Sequence, residues 1–287
     1  MERASVPLAD LCSVHLVDAD HVRALIRAGR LPAPKAAGEC QVETVPPDYL
    51  EPPAAPGAAR SAAWGPHIER NAGRFADAQR RLVETLAGDS HWTRERQLTR
   101  MGTAAWAVGL SLLMDGSAAE SRRWLDRCAR SYRASLAEAD PGSWGRSLGA
   151  IKSRILAGDE RGSEREARMT LELGAAEQEG SIPIYAATLA HLVLGDDTAA
   201  AAEAERLVAA ADFPPAVAAT LAALAAGDPE RYGAAVREVL TSFETRDRYL
   251  AAVPAADTVL VLQWLARPRG LELALRSPVL PAAGAGG

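Results

Sequence analysis

The amino-acid sequence predicts an all-α fold, a stack of antiparallel helical hairpins preceded by an N-terminal helical appendage. Three observations carry this. Apolar, Ala-rich stretches end four times at the same dipeptide, Gly88-Asp89, Gly158-Asp159, Gly195-Asp196 and Gly227-Asp228. Glycine takes the left-handed conformation just past a helix end, and aspartate caps the first free amides of the next helix, so each pair reads as helix, stop, helix. The last three recur at intervals of 37 and 32 residues, the length of one helical hairpin in a stacked array. Finally, alanine dominates an apolar content of 48% while aromatics reach only 5%, a balance that favours helices over a sheet sandwich.

The elements follow in order. Residues 8–29 carry Leu8, Leu11, Val14, Val17, Val22, Leu25 and Ile26 at spacings of three or four, with Gly29 as a stop, so residues 1–30 form a helical segment. Between Leu31 and Pro66 there are eight prolines, which makes 31–66 a proline-rich extended linker with one short ordered piece near Tyr49. A helical-repeat domain then covers 67–281, with helices at 67–87, 92–114, 117–138, 143–157, 161–179, 182–194, 198–211, 214–226, 229–248 and 255–267. Its hairpin length is tetratricopeptide-like. Asp228-Pro229-Glu230 places proline at the first helical position behind an aspartate cap. Short links force successive helices to be antiparallel neighbours. Trp92, Trp106, Trp124, Trp144 and Trp264 fall one per helix and are expected in the core. The stretch 267–281 alternates apolar and polar residues and is expected to lie extended over the last helix pair, and 282–287 to form a disordered tail.

Composition excludes several classes. No uncharged apolar run reaches the roughly 20 residues a membrane helix requires, and the N-terminus lacks a basic region followed by an apolar block. The expected location is the cytoplasm. Cys12, Cys40 and Cys128 are odd in number and widely spaced, which suits apolar fillers better than a disulfide framework. A net charge of −5 makes nucleic acid an unlikely main partner, but the charge is uneven. Arg94 to Arg133 holds eight arginines against four acids, whereas Asp196 to Glu230 holds seven acids against Arg206 alone.

Candidate chemistry is sparse. Cys12, His15, Asp18, Asp20 and His21 crowd together, but no second Cys or His pair follows at zinc spacing, so no metal site is expected. Asp196-Asp197 resembles the aspartate-rich start of all-α prenyl-diphosphate enzymes, yet positions 198–202 are Thr-Ala-Ala-Ala-Ala and supply no third carboxylate. There is no phosphate-loop, nucleophile-elbow or His-Glu-x-x-His pattern, so neither catalytic residues nor a cofactor are expected. Within residues 8–33, Val17 to Ala33, with His21-Val-Arg-Ala-Leu-Ile-Arg-Ala-Gly-Arg-Leu-Pro-Ala at its heart, resembles the recognition helix and exit turn of excisionase-like winged helix-turn-helix domains. The resemblance implies that Arg23, Arg27 and Arg30 face a DNA groove or its phosphates. No basic wing is expected, since Lys35 is the only positive residue between the turn and Arg60.

Farther along, Gly227-Asp-Pro-Glu-Arg-Tyr-Gly-Ala-Ala-Val-Arg-Glu-Val-Leu240, Arg248-Tyr249-Leu250, Asp257-Thr-Val-Leu-Val-Leu-Gln-Trp-Leu-Ala266, Arg269-Gly270-Leu271 and Ser277-Pro-Val-Leu-Pro281 resemble the closing segment of an all-helical family of bacterial toxin-immunity proteins, the family numbered forty-nine. Ser143-Trp144 through Gly158-Asp159 is similar to an internal helix of that group. The resemblance spans residues 143–281 and implies a protein that binds and neutralises a cognate toxin, with no catalytic residue. On that reading Asp196, Asp197, Glu203, Glu205 and Asp212 form an acidic contact region for a basic protein partner. A DNA-binding regulator with a helical effector domain, or an all-α enzyme without a recognisable motif, is the alternative.

Overall fold

The computed structural model describes residues 61–86 and 93–282 and, before them, residues 6–8, 12, 19–28, 33, 35–37 and 42–45. Arg30, Gly88, Asp89, Trp92 and the tail 283–287 lie outside the described residues, as does the stretch near Tyr49.

The N-terminal part differs from expectation. Strand β1 (Val6–Pro7), helix α1 (Ala19–Arg27), β2 (Lys35–Ala37) and β3 (Val42–Val45) include a three-stranded antiparallel sheet in the order β1-β3-β2. Val6 pairs with Val45 and Lys35 with Thr44, so β3 is the central strand. Pro7, which has no amide to donate, sits on the edge strand where that loss is tolerated. Two strands therefore stand inside the segment read as an extended linker. Leu8, Cys12 and Val22 are buried.

The rest is helical. Helices α2 (Gly65–Leu86), α3 (Arg94–Met114), α4 (Ala118–Leu136), α5 (Trp144–Leu156), α6 (Glu160–Glu172), α7 (Ser181–Leu194), α8 (Asp197–Ala209), α9 (Pro215–Ala226), α10 (Pro229–Glu244) and α11 (Asp257–Ala266) follow one another. Each helix from α2 packs on the next, and α5 also reaches α7 and α11. This is the sequential stacking of an all-α array. The Gly-Asp stops behave as the sequence predicts. Gly158, Gly195 and Gly227 have φ of 68°, 76° and 64°. Behind them Asp159 accepts from the Gly162 amide at 2.9 Å, Asp196 from Ala199 at 3.1 Å, and Asp228 from Arg231 at 3.0 Å.

Two helices are shorter than expected. α6 stops at Glu172 because Gly174, left-handed at φ 83°, ends it before a short 3-10 turn. α10 stops at Glu244, and Leu250–Ala252 form a second such turn. The tryptophans are less buried than expected: Trp106 is 3% exposed, whereas Trp124, Trp144 and Trp264 are half-buried. The closing stretch, expected to be extended over 267–281, opens instead with a 3-10 turn at Arg267–Arg269 and is extended from Leu271. It is held by Gln263, which donates to the Leu273 carbonyl and accepts the Tyr232 hydroxyl at 2.6 Å, and by the Ala256 amide on the Val279 carbonyl at 2.8 Å.

Two buried polar contacts join the layers. The Lys152 ammonium on α5 meets the Asp257 carboxylate on α11 at 2.5 Å and lies 5.5 Å from the Trp106 ring centre on α3. Burial is the largest influence and works to pull this ammonium down, but the charge of Asp257, the neighbouring Tyr185 and the hydrogen bond to Asp257 together outweigh it and leave the lysine pKa raised. Arg154, 8% exposed, pairs with Asp126 on α4, and its Nη1 donates to Asp159 at 3.1 Å. Cys12 and Cys128 are buried; burial pushes the Cys128 thiol up to about 12, which makes it an inert filler.

Candidate functional site

The five acids expected to meet a partner do not share one role. Asp196 caps α8 and lies 3.7 Å from His191 Nδ1. Asp197, first residue of the same helix, is paired to Arg269, whose Nε donates to it at 3.1 Å. The same guanidinium reaches the carbonyls of Leu265 at 2.7 Å and Leu192 at 2.9 Å. Arg269 thereby reaches carbonyls in the last turn of two helices, joining the Gly195 amide on that of Leu192, and fastens α7, α8 and α11 at one point.

Glu203 is tied to Arg206 at 2.6 Å. Arg206 then extends to the Ala176 and Gln178 carbonyls at 3.0 and 2.7 Å, bracing the turn after α6. Asp212 is exposed and accepts from the Ser181 hydroxyl at 2.9 Å, which links the end of α8 to the start of α7. Glu205 is exposed on α8. On a helix, Glu203 and Glu205 diverge by about 200°, so they do not present a common face. Four of the five acids therefore spend part of their capacity holding helices together, and Glu205 is the one whose removal disturbs no ion pair or cap described above. The sequence did not reveal Arg269 as a fastening residue. Its only local signal is the Arg-Gly step before Leu271, and two of its partners, Asp197 and Leu192, lie more than 70 residues away in the chain.

Among the described residues no group of three His, Cys, Asp or Glu side chains is placed to hold a metal ion. No helix among them is long and apolar enough to cross a membrane.

At the N-terminus, Val22 is buried on α1 while Arg23 and Arg27 are exposed on the same helix, one turn apart. The antiparallel hairpin β2–β3 follows that helix, and β1 adds to its far side. A helix succeeded by a strand hairpin is the arrangement a wing requires, so the hairpin is present where the sequence pointed to no basic wing. Its charge is as the sequence shows: Lys35 is on β2 and Glu43 on β3. Over residues 1–45 six acids stand against five bases.

Searches with the whole chain against protein-family models, curated proteins and solved structures found no match in any of the three.

Proposed function

We propose that this chain is a non-catalytic protein-binding helical array, and that its partner is a toxin it neutralises. The observation that supports binding over chemistry is the use of its ionisable groups. Lys152, Arg154 and Arg269, with their acids, fasten one helix to another, and Arg206, paired with Glu203 on its own helix, braces the turn after α6. A stack of hairpins fixed in this way presents an extended, rigid surface, which suits recognition of a folded partner. The likeness of residues 143–281 to toxin-immunity proteins supports the choice of partner, and those residues form a connected unit from α5 to the strap over α11.

The test is co-purification from native cells followed by co-expression. One stoichiometric partner is expected, harmful when expressed alone and harmless beside this chain. Glu205→Lys is expected to weaken the complex at least tenfold without lowering the unfolding midpoint. Reproducible absence of any partner overturns the reading.

The strand hairpin supports a second reading, a winged-helix contact with DNA through Arg23 and Arg27. It ranks second because phosphate attraction dominates such binding and residues 1–45 carry no positive excess. Fluorescence anisotropy on a duplex decides it: binding that falls with salt and is lost in Arg27→Glu supports the wing, and salt-independent or absent binding removes it.

A further inference from the structure

The array has two dissimilar ends. At one stand the turns centred on Gly116, Gly158, Gly195 and Gly227, each closing a helix and opening the next within a few residues. The other end holds the connections α4–α5, α6–α7, α8–α9 and α10–α11, at 137–143, 173–180, 210–214 and 245–256, together with the start of α3. Contacts tie this second end together. Arg94 at the start of α3 pairs with Glu138 behind α4, and Arg146 of α5 pairs with Glu95. Arg206 near the end of α8 holds the carbonyls of Ala176 and Gln178, and the Tyr185 ring in α7 stands 5.2 Å from that of Phe213.

Apolar exposure is confined to that second end. Leu173, Ile182, Val208 and Leu250 are the large hydrophobic side chains left exposed among the described residues, with 44 to 64% of their surface open. Leu173 directly follows α6, Ile182 is the second residue of α7, Val208 sits in the last turn of α8, and Leu250 lies in the α10–α11 connection. Exposed apolar residues scattered singly are ordinary, whereas a set gathered at one end marks a surface that is covered in use.

Around the first three of these side chains the charge is acidic. From Glu172 to Ile182 and from Glu203 to Asp212 six acids stand against Arg206 alone. Arg206 is spent on Glu203 and on two carbonyls. Glu172, Glu177, Glu179 and Glu205 are exposed, and among the described residues none of their carboxylates has an ion-pair or hydrogen-bond partner. Such a rim repels a second copy of the same face and repels phosphate, and it attracts lysine and arginine. The turn that carries it is already fixed: Gly174 and Gly180 hold left-handed φ of 83° and 99°, and Arg206 braces the carbonyls between them. Binding there has little backbone to order.

We propose that the turn from Leu173 to Ile182, with the last turns of α8, is the docking face for a basic protein partner. Apolar side chains of the partner cover Leu173 and Ile182 and reach Val208, and its lysines and arginines meet the glutamates. This rests on the partner-binding reading above and adds the face and the chemistry of the partner. Fluorescence anisotropy on the full chain examines it with three labelled probes: a four-turn helical peptide of leucine and lysine, its analogue with glutamate for lysine, and its analogue with serine for leucine. Saturable binding of the leucine-lysine peptide is expected, about tenfold tighter than either analogue. Leu173→Ser with Ile182→Ser, and separately Glu177→Gln with Glu179→Gln, are each expected to weaken it at least fivefold. Glu160→Gln with Glu230→Gln, exposed acids of the Gly-Asp end, is expected to change it less than twofold. Leu173 and Ile182 are half exposed and the two glutamates are unpaired, so the unfolding midpoint stays in place and binding is read on folded protein. No binding of the leucine-lysine peptide, equal binding of all three, full affinity in the face variants, or an equal loss in the Gly-Asp-end variant each overturns the proposal. A co-purified partner held equally by the unaltered chain and both face variants overturns the face while partner binding stands. Absence of any partner overturns partner binding, and the peptides then decide the face.

Discussion

The two halves of the array solve the same packing problem by different means. From α5 to α11 the helices are short, 10 to 16 residues, their turns are fixed by Gly-Asp caps, and arginines fasten the ends. From α2 to α4 they run 22, 21 and 19 residues, and close approach is achieved by glycine inside the helices. The Tyr132 ring on α4 lies between Gly102 on α3 and Gly149 on α5, where an added Cβ would stand 2.9 and 2.8 Å from ring carbons. Gly109 likewise leaves room for Leu125, at 2.7 Å. One half is held at its ends and the other along its lengths.

The pair Lys152–Asp257 lies where the halves meet, since it joins α5 to α11 and faces Trp106 of α3. Breaking it gives the largest expected effect. Asp257→Ala leaves a buried ammonium without its counter-charge and is expected to cost about 3–5 kcal/mol, seen as a lower urea midpoint with unchanged slope. The double replacement Lys152→Met with Asp257→Leu removes both charges and is expected to recover most of that loss. Equal losses in the single and double variants would show that hydrophobic packing, not the uncompensated charge, governs this joint.

Glycine sharpens the comparison at intermediate size. Gly102→Ala gains helix propensity but drives a methyl group into a ring that Gly149 prevents from retreating, so a net loss of about 1–2 kcal/mol is expected. Gly73→Ala, on the exposed side of α2 with nothing within 4 Å of the added carbon, is expected to stabilise by about 0.5–1 kcal/mol. Thermal unfolding of both variants checks the sign. Destabilisation by both would mean that α2 depends on glycine at Gly73 for a reason other than space.

This contrast also explains what the sequence made legible. A Gly-Asp stop is a local signal, because the left-handed residue and the capping carboxylate act within four positions of each other, and all three described stops stand as read. The extended strap over α11 was legible for the same reason, through the alternation from Leu271 to Leu280. The Gly102–Tyr132–Gly149 sandwich was not, since its members are common letters 17 and 30 positions apart whose meaning arises only on contact. The hairpin β2–β3 escaped because Lys35-Ala36-Ala37 has poor strand propensity and Val42–Val45 is too short to show a period; pairing with β1 decides it. For the acidic residues, the sequence located the charges but not their partners. Arg269 and Ser181 come to Asp197 and Asp212 through tertiary structure alone.

The smallest effect, that of Asp228→Asn, is at the caps, where two aspartates that read identically in the sequence separate in the structure. Asp228 does nothing beyond accepting the amides of Glu230 and Arg231, at 3.1 and 3.0 Å, on an exposed turn. Asp228→Ala is expected to cost about 1 kcal/mol, and Asp228→Asn, which keeps the acceptor, a few tenths. Asp159 caps α6 in the same way but also receives Arg154, a guanidinium whose side chain is only 10% exposed. Asp159→Ala therefore removes a cap and weakens a buried network at once, and roughly 2 kcal/mol is expected. Asp159→Asn separates the two contributions: it retains the amide bond while losing the charge, so a cost near that of the alanine variant assigns the residue to the arginine network. A cost as small as that of Asp228→Asn would return Asp159 to the rank of a simple cap and place the stability of the α5–α6 turn in its glycine.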